Sequence, residues 1–528
     1  MTTMYISPTL TDLYQISMAY AYWKEDSHNN ITTFEAFFRK CPFNGQYAVV
    51  GGIKEFLEFF NTYSFSYHDI EGLKRICPDY EKEFFQYLSS LNTSQVQINI
   101  IPDGSVVFPN QPIVQLTGPK IVCQLLETTL LNLIGHPTLV ATYARRIRQQ
   151  VGKERVLAEF GLRRAQGVSA GINSSQYSYI GGFDSTSNVY AGIKYNIPVS
   201  GTHAHSYVMS FTNLSQVKDN LQIKYKNSNQ IIENFKQYVF IVNNINDESE
   251  ITTNKSELAA FITYAFTQPN NFLALIDTFN TLESGLINYC YVANALIELG
   301  YSPKGIRIDS GDLAYLSKEI KKKFIEMSSS YPQYNDMKIV ASNDLDEHIV
   351  GSLINQGAEI DVFGIGTKLS TCFQTPALGM VFKLVEINNI PRIKISENDE
   401  KTTIPCKKYL FRLYNSSNKA VLDLITNQPN INDYIDEDGN ILCVEPKIQN
   451  KRVKVKYFIH EELLVDARTI TDNSIDVAKK RCDYQISTMR EDYLRISNPT
   501  PYIVTTPEPF AELIRQIKNK EKVIKTLI

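Results

Sequence analysis

The chain has 528 residues, 43% of them hydrophobic and 21% charged. It is too long for one ordinary domain and too apolar to be disordered, so two or three packed domains are expected. Fifty-three Lys plus Arg against 56 Asp plus Glu leave a formal charge of −3, which excludes a global field for nucleic acid or an anionic membrane; an anionic ligand must be held by local charges. Eight cysteines, Cys41, Cys77, Cys123, Cys290, Cys372, Cys406, Cys443 and Cys482, show no paired spacing, which argues against a zinc module and a disulfide scaffold. With no basic and apolar leader in MTTMYISPTLTDLYQ, a reducing, cytoplasmic setting is the expectation.

Along the chain, TLTDLYQISMAYAYWK (9–24) has helical spacing of Leu13, Ile16, Met18, Ala19 and Tyr20 behind a capping Thr11. TTFEAFFRKCPFNGQYAVVGG alternates like strands around a Pro-Phe-Asn-Gly turn, and IKEFLEFFNTYSF returns to helical period. The stretch 121–135 (IVCQLLETTLLNLIG) is too short and too interrupted by Gln124, Glu127 and Asn132 to cross a bilayer, and reads as a buried helix. Residues 1–135 therefore form an N-terminal α+β domain.

From 136 to 376 short apolar strands run repeatedly into a polar or glycine turn and a helix: RVLAEF, PVSGTH, FLALIDTF, GIRIDS, MKIVASN and DVFGIG. That repetition implies parallel pairing, and so many units favour a closed or partly closed TIM-like α/β barrel over an open sheet. Either architecture puts the active site at the carboxyl ends of the strands. The charged, Asn-rich span 214–257 reads as a surface excursion. Residues 377–528 are a turn-rich C-terminal segment (SENDEKTTIP, NQPNINDYIDEDGN) that packs on the N-terminal domain and ends in a basic, helix-like tail.

Gly364-Ile365-Gly366-Thr367 follows a strand, and glycines there let backbone N–H groups approach a phosphate. In GIRIDSGDL, Arg307 and Asp309 share one strand face. Asp309 and Asp312 are suited to Mg²⁺, to ribose hydroxyls or to a developing cation; equally, Ser310 or Asp312 caps a helix and Arg307 pairs with Asp309. Arg307 is also a natural fork for a planar carboxylate. His203 and His205 in SGTHAHSYV lack a third metal ligand of suitable spacing, which leaves a phosphoryl acceptor or proton shuttle as the functional alternative to a structural role. EFGLRRAQG (159–167) places Phe160, Arg163 and Arg164 beyond a strand, where the arginines suit pyrophosphate or carboxylate, or are a solvated pair. GGFDSTSNV and ASNDLDEH add hydroxyls and amides that also fit helix caps.

The strings TDLYQ, FEAFFRKCPF, EFGLRRAQG, GGFDSTSNV, SGTHAHSYV, GIRIDSGDL and DVFGIGT, in this order from residue 11 to about 385, resemble the nicotinate phosphoribosyltransferases, of the type II phosphoribosyltransferases. The resemblance implies an irregular α/β barrel beside an α+β domain, and a homodimer with shared active sites. The implied reaction joins nicotinate to 5-phosphoribosyl 1-pyrophosphate, giving nicotinate mononucleotide and pyrophosphate in NAD salvage. The resemblance also implies ATP hydrolysis coupled through a phosphohistidine, and Mg²⁺ is expected as the ion that neutralises the departing pyrophosphate. His205 in G-T-x-A-H-S matches the phosphorylated residue; His203 falls at the variable position.

By the same resemblance, Tyr14 stacks on the pyridine ring from the partner subunit and Phe160 forms the opposite wall. Thr202 and Arg307 hold nicotinate, Thr367 holds the phosphoribosyl group beside the glycine turn already read as a phosphate site, and Arg163, Asp309, Asp312 and Asn343 belong to the same pocket. Arg39 and Lys40 are candidates for the partner's grip on pyrophosphate, or a solvated pair. Nicotinamide-using relatives carry an Asp within the stretch matching STSN, where this chain has Ser187, so the acid is the expected substrate. The rivals are a nicotinamide enzyme, a phosphosugar isomerase or aldolase on an ordinary barrel, and a sensor that kept the pocket without turnover.

Overall fold

The apolar runs between 156 and 365 form one sheet. Its strands, numbered in chain order, are β1 (Val156–Glu159), β2 (Ser185–Thr186), β3 (Leu273–Leu275), β4 (Gly305–Ile308), β5 (Lys338–Ser342) and β6 (Val362–Ile365). Their spatial order is β3-β4-β5-β6-β1-β2, and every neighbouring pair is parallel. Parallel neighbours need crossovers, and the helices Leu286–Glu298, Leu313–Ser328 and Glu347–Asn355 supply those from β3 through to β6. All six strands therefore end at one edge, and the motif residues stand just beyond those ends.

This computed structural model describes residues 6–396, 401–444, 452–456 and 459–521. The chain divides into two units: Met1–Arg146, Gln176–Gly182 and Cys372–Ile528 make one, and Ile147–Ser175 with Phe183–Thr371 make the other, which carries the parallel sheet. Residues 136–146 thus group with the first unit. Among the described residues no helix is long and apolar enough to cross a membrane.

The sheet is half of a barrel; pairing does not close it. PVSGTH is not a strand: Val199 makes a single parallel bridge to Thr186, because Pro198 has no N–H to continue a ladder. Beyond it the His203 ring is buried, and its Nε2 accepts the N–H of Leu275 on β3 at 3.2 Å. Burial pushes the His203 pKa down to about 4, so the ring is a neutral acceptor.

Protonation therefore favours the unfolded chain. The contribution of His203 is whole above an ordinary imidazole pKa of about 6.5 and is lost as pH falls toward about 4; it amounts to about 3 kcal/mol. His203→Gln, which keeps an acceptor but cannot titrate, is expected to flatten this part of the acid destabilisation. Urea midpoints measured across that range check it.

The span 214–257 is more than a surface excursion. Leu214, Val217, Phe235, Val239 and Phe240 are buried, and the helix Phe235–Val242 packs on Leu286–Glu298. Its polar residues hid an apolar stripe set by helical spacing.

In the first unit the helix begins at Leu13 with Asp12 in the capping position; Thr11 is not the cap. Gln15, Ile16 and Ala19 face inward, while Leu13 and Tyr14 stay exposed. The strands expected around Pro-Phe-Asn-Gly do not pair with each other. Ile31–Phe38 lies between Met380–Ile387 and Val114–Pro119, and Ala48–Val49 pairs with Val106–Val107. Long-range partners win because Ile31–Phe38 is buried on both faces and needs a neighbour on each edge. The C-terminal segment adds a six-stranded sheet around the fully buried Arg412–Asp423 pair. The helix Glu508–Glu521 follows; residues 522–528 of the expected tail and 397–400 of SENDEKTTIP lie outside the described residues.

Candidate active site

Two adjacent strands run into the same pattern, Ile276-Asp277-Thr278 just after β3 and Ile308-Asp309-Ser310 from the last residue of β4. Register places these two Asp residues side by side, and they bond: the Asp309 N–H donates to Asp277 Oδ2 at 2.9 Å, and Ser310 Oγ donates to the same oxygen. Asp277 is buried and its Oδ1 has no hydrogen-bond partner. His205, at the start of the short helix His205–Met209, lies over them, with Nε2 3.9 Å from both Asp277 Oδ1 and Asp309 Oδ2. Its Nδ1 is 3.1 Å from Thr278 Oγ1. Carboxylates on the Nε2 side favour a proton there, with Nδ1 left to accept from the Thr278 hydroxyl.

Arg307, on the same face of β4 as Asp309, reaches the neighbouring strand. Its Nε donates to Ser342 Oγ at 2.9 Å and its Nη2 is 3.3 Å from Asp309 Oδ1, while Ser342 Oγ donates to that same oxygen. Its guanidinium carbon stands 5.6 Å from the centroid of the Phe160 ring. Phe160 packs on the glycine motif: a Cβ at Gly364 would fall 2.4 Å from Phe160 Cε2, and one at Gly366 would fall 2.8 Å from the Phe160 carbonyl oxygen. Both glycines therefore make room for the Phe160 turn. Gly364→Ala is expected to displace this ring and raise the KM of a ligand stacked on it about tenfold, with a smaller effect on a ligand held by charge alone.

The turn after β1 is held by the buried carboxylate of Glu159, which accepts from the Gly161 N–H, Ser175 Oγ and Thr186 Oγ1. Within Ser185–Asn188, Ser185 bonds Ser200, Thr186 bonds Glu159, and Asn188 caps the next helix and donates to Ser175. Of these four residues, Ser187 alone has a side chain with no hydrogen bond, and it is half-buried. Lys368 Nζ joins the end of β6 to the end of β5 by a 2.7 Å bond to Asp346.

Residues 156–428 match the profile described as "Nicotinate phosphoribosyltransferase (NAPRTase) family", and 9–135 and 407–514 match those of its N-terminal and C-terminal domains. Nicotinate phosphoribosyltransferase 1 of Arabidopsis thaliana is 43% identical over 96% of this chain and 93% of its own length. The Homo sapiens nicotinate phosphoribosyltransferase is 36% identical over 97% and 96%. The crystal structure of human nicotinic acid phosphoribosyltransferase matches with a TM-score of 0.85 at 34% identity, covering 96% of this chain and 99% of that one. The chain belongs to the nicotinate phosphoribosyltransferase family. It is accordingly an enzyme, a transferase.

For a member of this family the structure brings His205, Arg307, Asp309 and Phe160 together, with Ser342, Thr278 and Asp277 among them. Thr202, half-buried, donates its hydroxyl to the His203 carbonyl at 3.1 Å. Thr367 opens the short helix Thr367–Thr371 after Gly366. Asn343 is exposed at the end of β5 with φ of 104°, a conformation that a non-glycine residue rarely holds. Asp312 caps Leu313–Ser328 through the Tyr315 N–H at 3.0 Å and is exposed, so its geometry is that of a cap. Arg163 and Arg164 are exposed on a single 3₁₀ turn. Tyr14 is 47% exposed on its own unit.

Sequence reasoning missed Asp277, Thr278 and Ser342. The signal was present in the repeated Ile-Asp-hydroxyl pattern at two strand ends, but only strand register makes it a pair.

Proposed function

We propose that the enzyme joins nicotinate to 5-phosphoribosyl 1-pyrophosphate, forming nicotinate mononucleotide and pyrophosphate, and couples this to ATP hydrolysis through phosphorylation of His205. The observation that carries the reading is the Arg307 guanidinium set beside the Phe160 ring: an aromatic wall for a flat ring next to a fork for its carboxylate. Arg307 is oriented by Ser342 and Asp309, so little ordering is left to the moment of binding. An uncharged Ser187 at the position where nicotinamide-using relatives carry Asp leaves no anion there to repel the acid.

The sheet is read as the core of an irregular barrel, with the site at its carboxyl edge. Displacement at the anomeric carbon develops positive charge on the sugar, and Asp309 stands at the site to stabilise it. Thr367 and the backbone after Gly366 face the sugar phosphate, with Thr202, Arg163 and Asn343 around the same pocket. Among the described residues no group of three His, Cys, Asp or Glu side chains forms a metal cage; Mg²⁺ carried on the substrate's phosphates would supply charge neutralisation for the pyrophosphate leaving group. The neutral Nδ1 of His205 is positioned to accept a phosphoryl group from ATP, with the Nε2 proton facing Asp277 and Asp309.

A homodimer completes the pocket: the exposed Leu13 and Tyr14 on one helix, and Val189, Tyr190 and Ile193 on another, are apolar groups that a second copy would cover, with Tyr14 supplying the second aromatic wall. Eight free cysteines support a cytoplasmic setting. Pyrophosphate release, measured with nicotinate, 5-phosphoribosyl 1-pyrophosphate, ATP and Mg²⁺ and then with each omitted, tests the reading. Release that persists without nicotinate, or that nicotinamide supports equally, would overturn it.

A further inference from the structure

Phe160 and Ser187 come from different strand ends, yet one buried carboxylate is tied to the backbone beside both. Glu159, the last residue of β1, has no exposed surface. Its Oε1 accepts the N–H of Gly161, and its Oε2 accepts from Thr186 Oγ1 at 2.6 Å and Ser175 Oγ at 2.9 Å. Phe160 lies between Glu159 and Gly161 in the chain, and Ser187 follows Thr186.

We propose that Glu159 is a positioning residue for the nicotinate slot: its carboxylate holds the Phe160 turn and the Thr186 strand end at a fixed separation before the ring enters. This rests on the reading of Phe160 as the wall for the pyridine ring and deepens it.

A side chain that accepts the N–H two residues ahead closes a ring of atoms over the residue between, here Phe160, and restricts its backbone. The Phe160 N–H is held as well, by the Ile365 carbonyl at 2.8 Å. Gly161 permits this closure, since a Cβ there would fall 2.9 Å from Glu159 Oε1 and 2.7 Å from Ser370 Cβ. Toward β2 the main chain adds a second tie, the Ser187 N–H donating to the Glu159 carbonyl at 2.9 Å. Thr186 Oγ1 accepts the Asn188 N–H at 3.0 Å, so its own proton is left for Glu159.

Three donors meeting one side chain ask for three acceptor positions. A carboxylate offers about four and has no N–H to oppose them. Glutamine, equal in size, gives up one oxygen and turns an NH₂ group toward a donor. Burial pushes the Glu159 pKa up, and the three donors, Thr186 foremost, work against that. A slot held in place needs little ordering when the flat ring binds, whereas a loosened one weakens the ring's binding and leaves a substrate held elsewhere unaffected.

Steady-state kinetics of Glu159→Gln, Thr186→Val, Thr186→Ser and Phe160→Leu, each with a urea midpoint, test the role. Glu159→Gln is expected to raise KM for nicotinate about tenfold, with kcat within about threefold of the parent and KM for 5-phosphoribosyl 1-pyrophosphate within about twofold. Thr186→Val removes one tie and should raise KM for nicotinate about threefold; Thr186→Ser keeps the hydroxyl and should return it to within about twofold of the parent. Thr186→Val decides the matter if Glu159→Gln does not fold. Where Phe160→Leu does raise KM for nicotinate, an unchanged KM in Glu159→Gln, or a loss shared equally by both substrates, would overturn this inference alone. Phe160→Leu with the parent's KM for nicotinate would overturn the reading of Phe160 as the wall, and this inference with it.

Discussion

Arg307→Ala is expected to lower kcat/KM for nicotinate by about two orders of magnitude while changing that for nicotinamide by less than about fivefold. A charge-assisted bond to a carboxylate contributes about 1.5 to 3 kcal/mol, and the fork is already oriented by Ser342 and Asp309. The amide presents no anion, so it loses only packing against the guanidinium face. Arg307→Lys keeps the charge as a point and loses the planar fork, and should recover only part of the loss. Competition between acid and amide in one assay reads the discrimination directly. Equal losses for the two ligands would mean that Arg307 supports the pocket without touching the carboxylate.

His205→Ala is expected to bring the rate with ATP to within about twofold of the rate without it, and to abolish acid-labile label from γ-labelled ATP. The ring is 40% exposed, and its one hydrogen bond is to Thr278, so the fold should lose no more than about 1 kcal/mol. That separates it from His203, whose ring is buried and tied to Leu275. His203→Ala should lower the unfolding midpoint and leave the ratio of rates with and without ATP near that of the parent. An ATP response that survives in His205→Ala would remove the coupling assignment.

The separate fates of the two histidines show what a local string can and cannot say. SGTHAHSYV presents both as candidates two residues apart, and neither charge nor spacing ranks them. The helix that starts at His205 sets its ring beside Asp277 and Asp309, whereas His203, two residues earlier and ahead of that helix, is buried. Asp312 and Ser187 divide in the same way. Both sit among polar residues before a helix; Asp312 takes the capping position, whereas in Ser185–Asn188 the neighbours take every structural bond and leave Ser187 free. Gly364 and Gly366 read in the sequence as a phosphate cradle, and the fold adds a second reason for glycine at both: a Cβ there would clash with Phe160, more than two hundred residues away in the chain.

By itself the sequence determined five of the six strands it offered between 155 and 366, the position of polar residues at strand ends, and the motif string that marks the family, because each depends on spacing over a few residues. Tertiary structure alone decided which carboxylates meet His205, that Arg307 lies beside Phe160, and that Ile31–Phe38 pairs with Met380–Ile387 instead of with its own turn. Those outcomes follow from register and burial between segments far apart in the chain, where the energy of desolvating a strand or a charge outweighs any local preference.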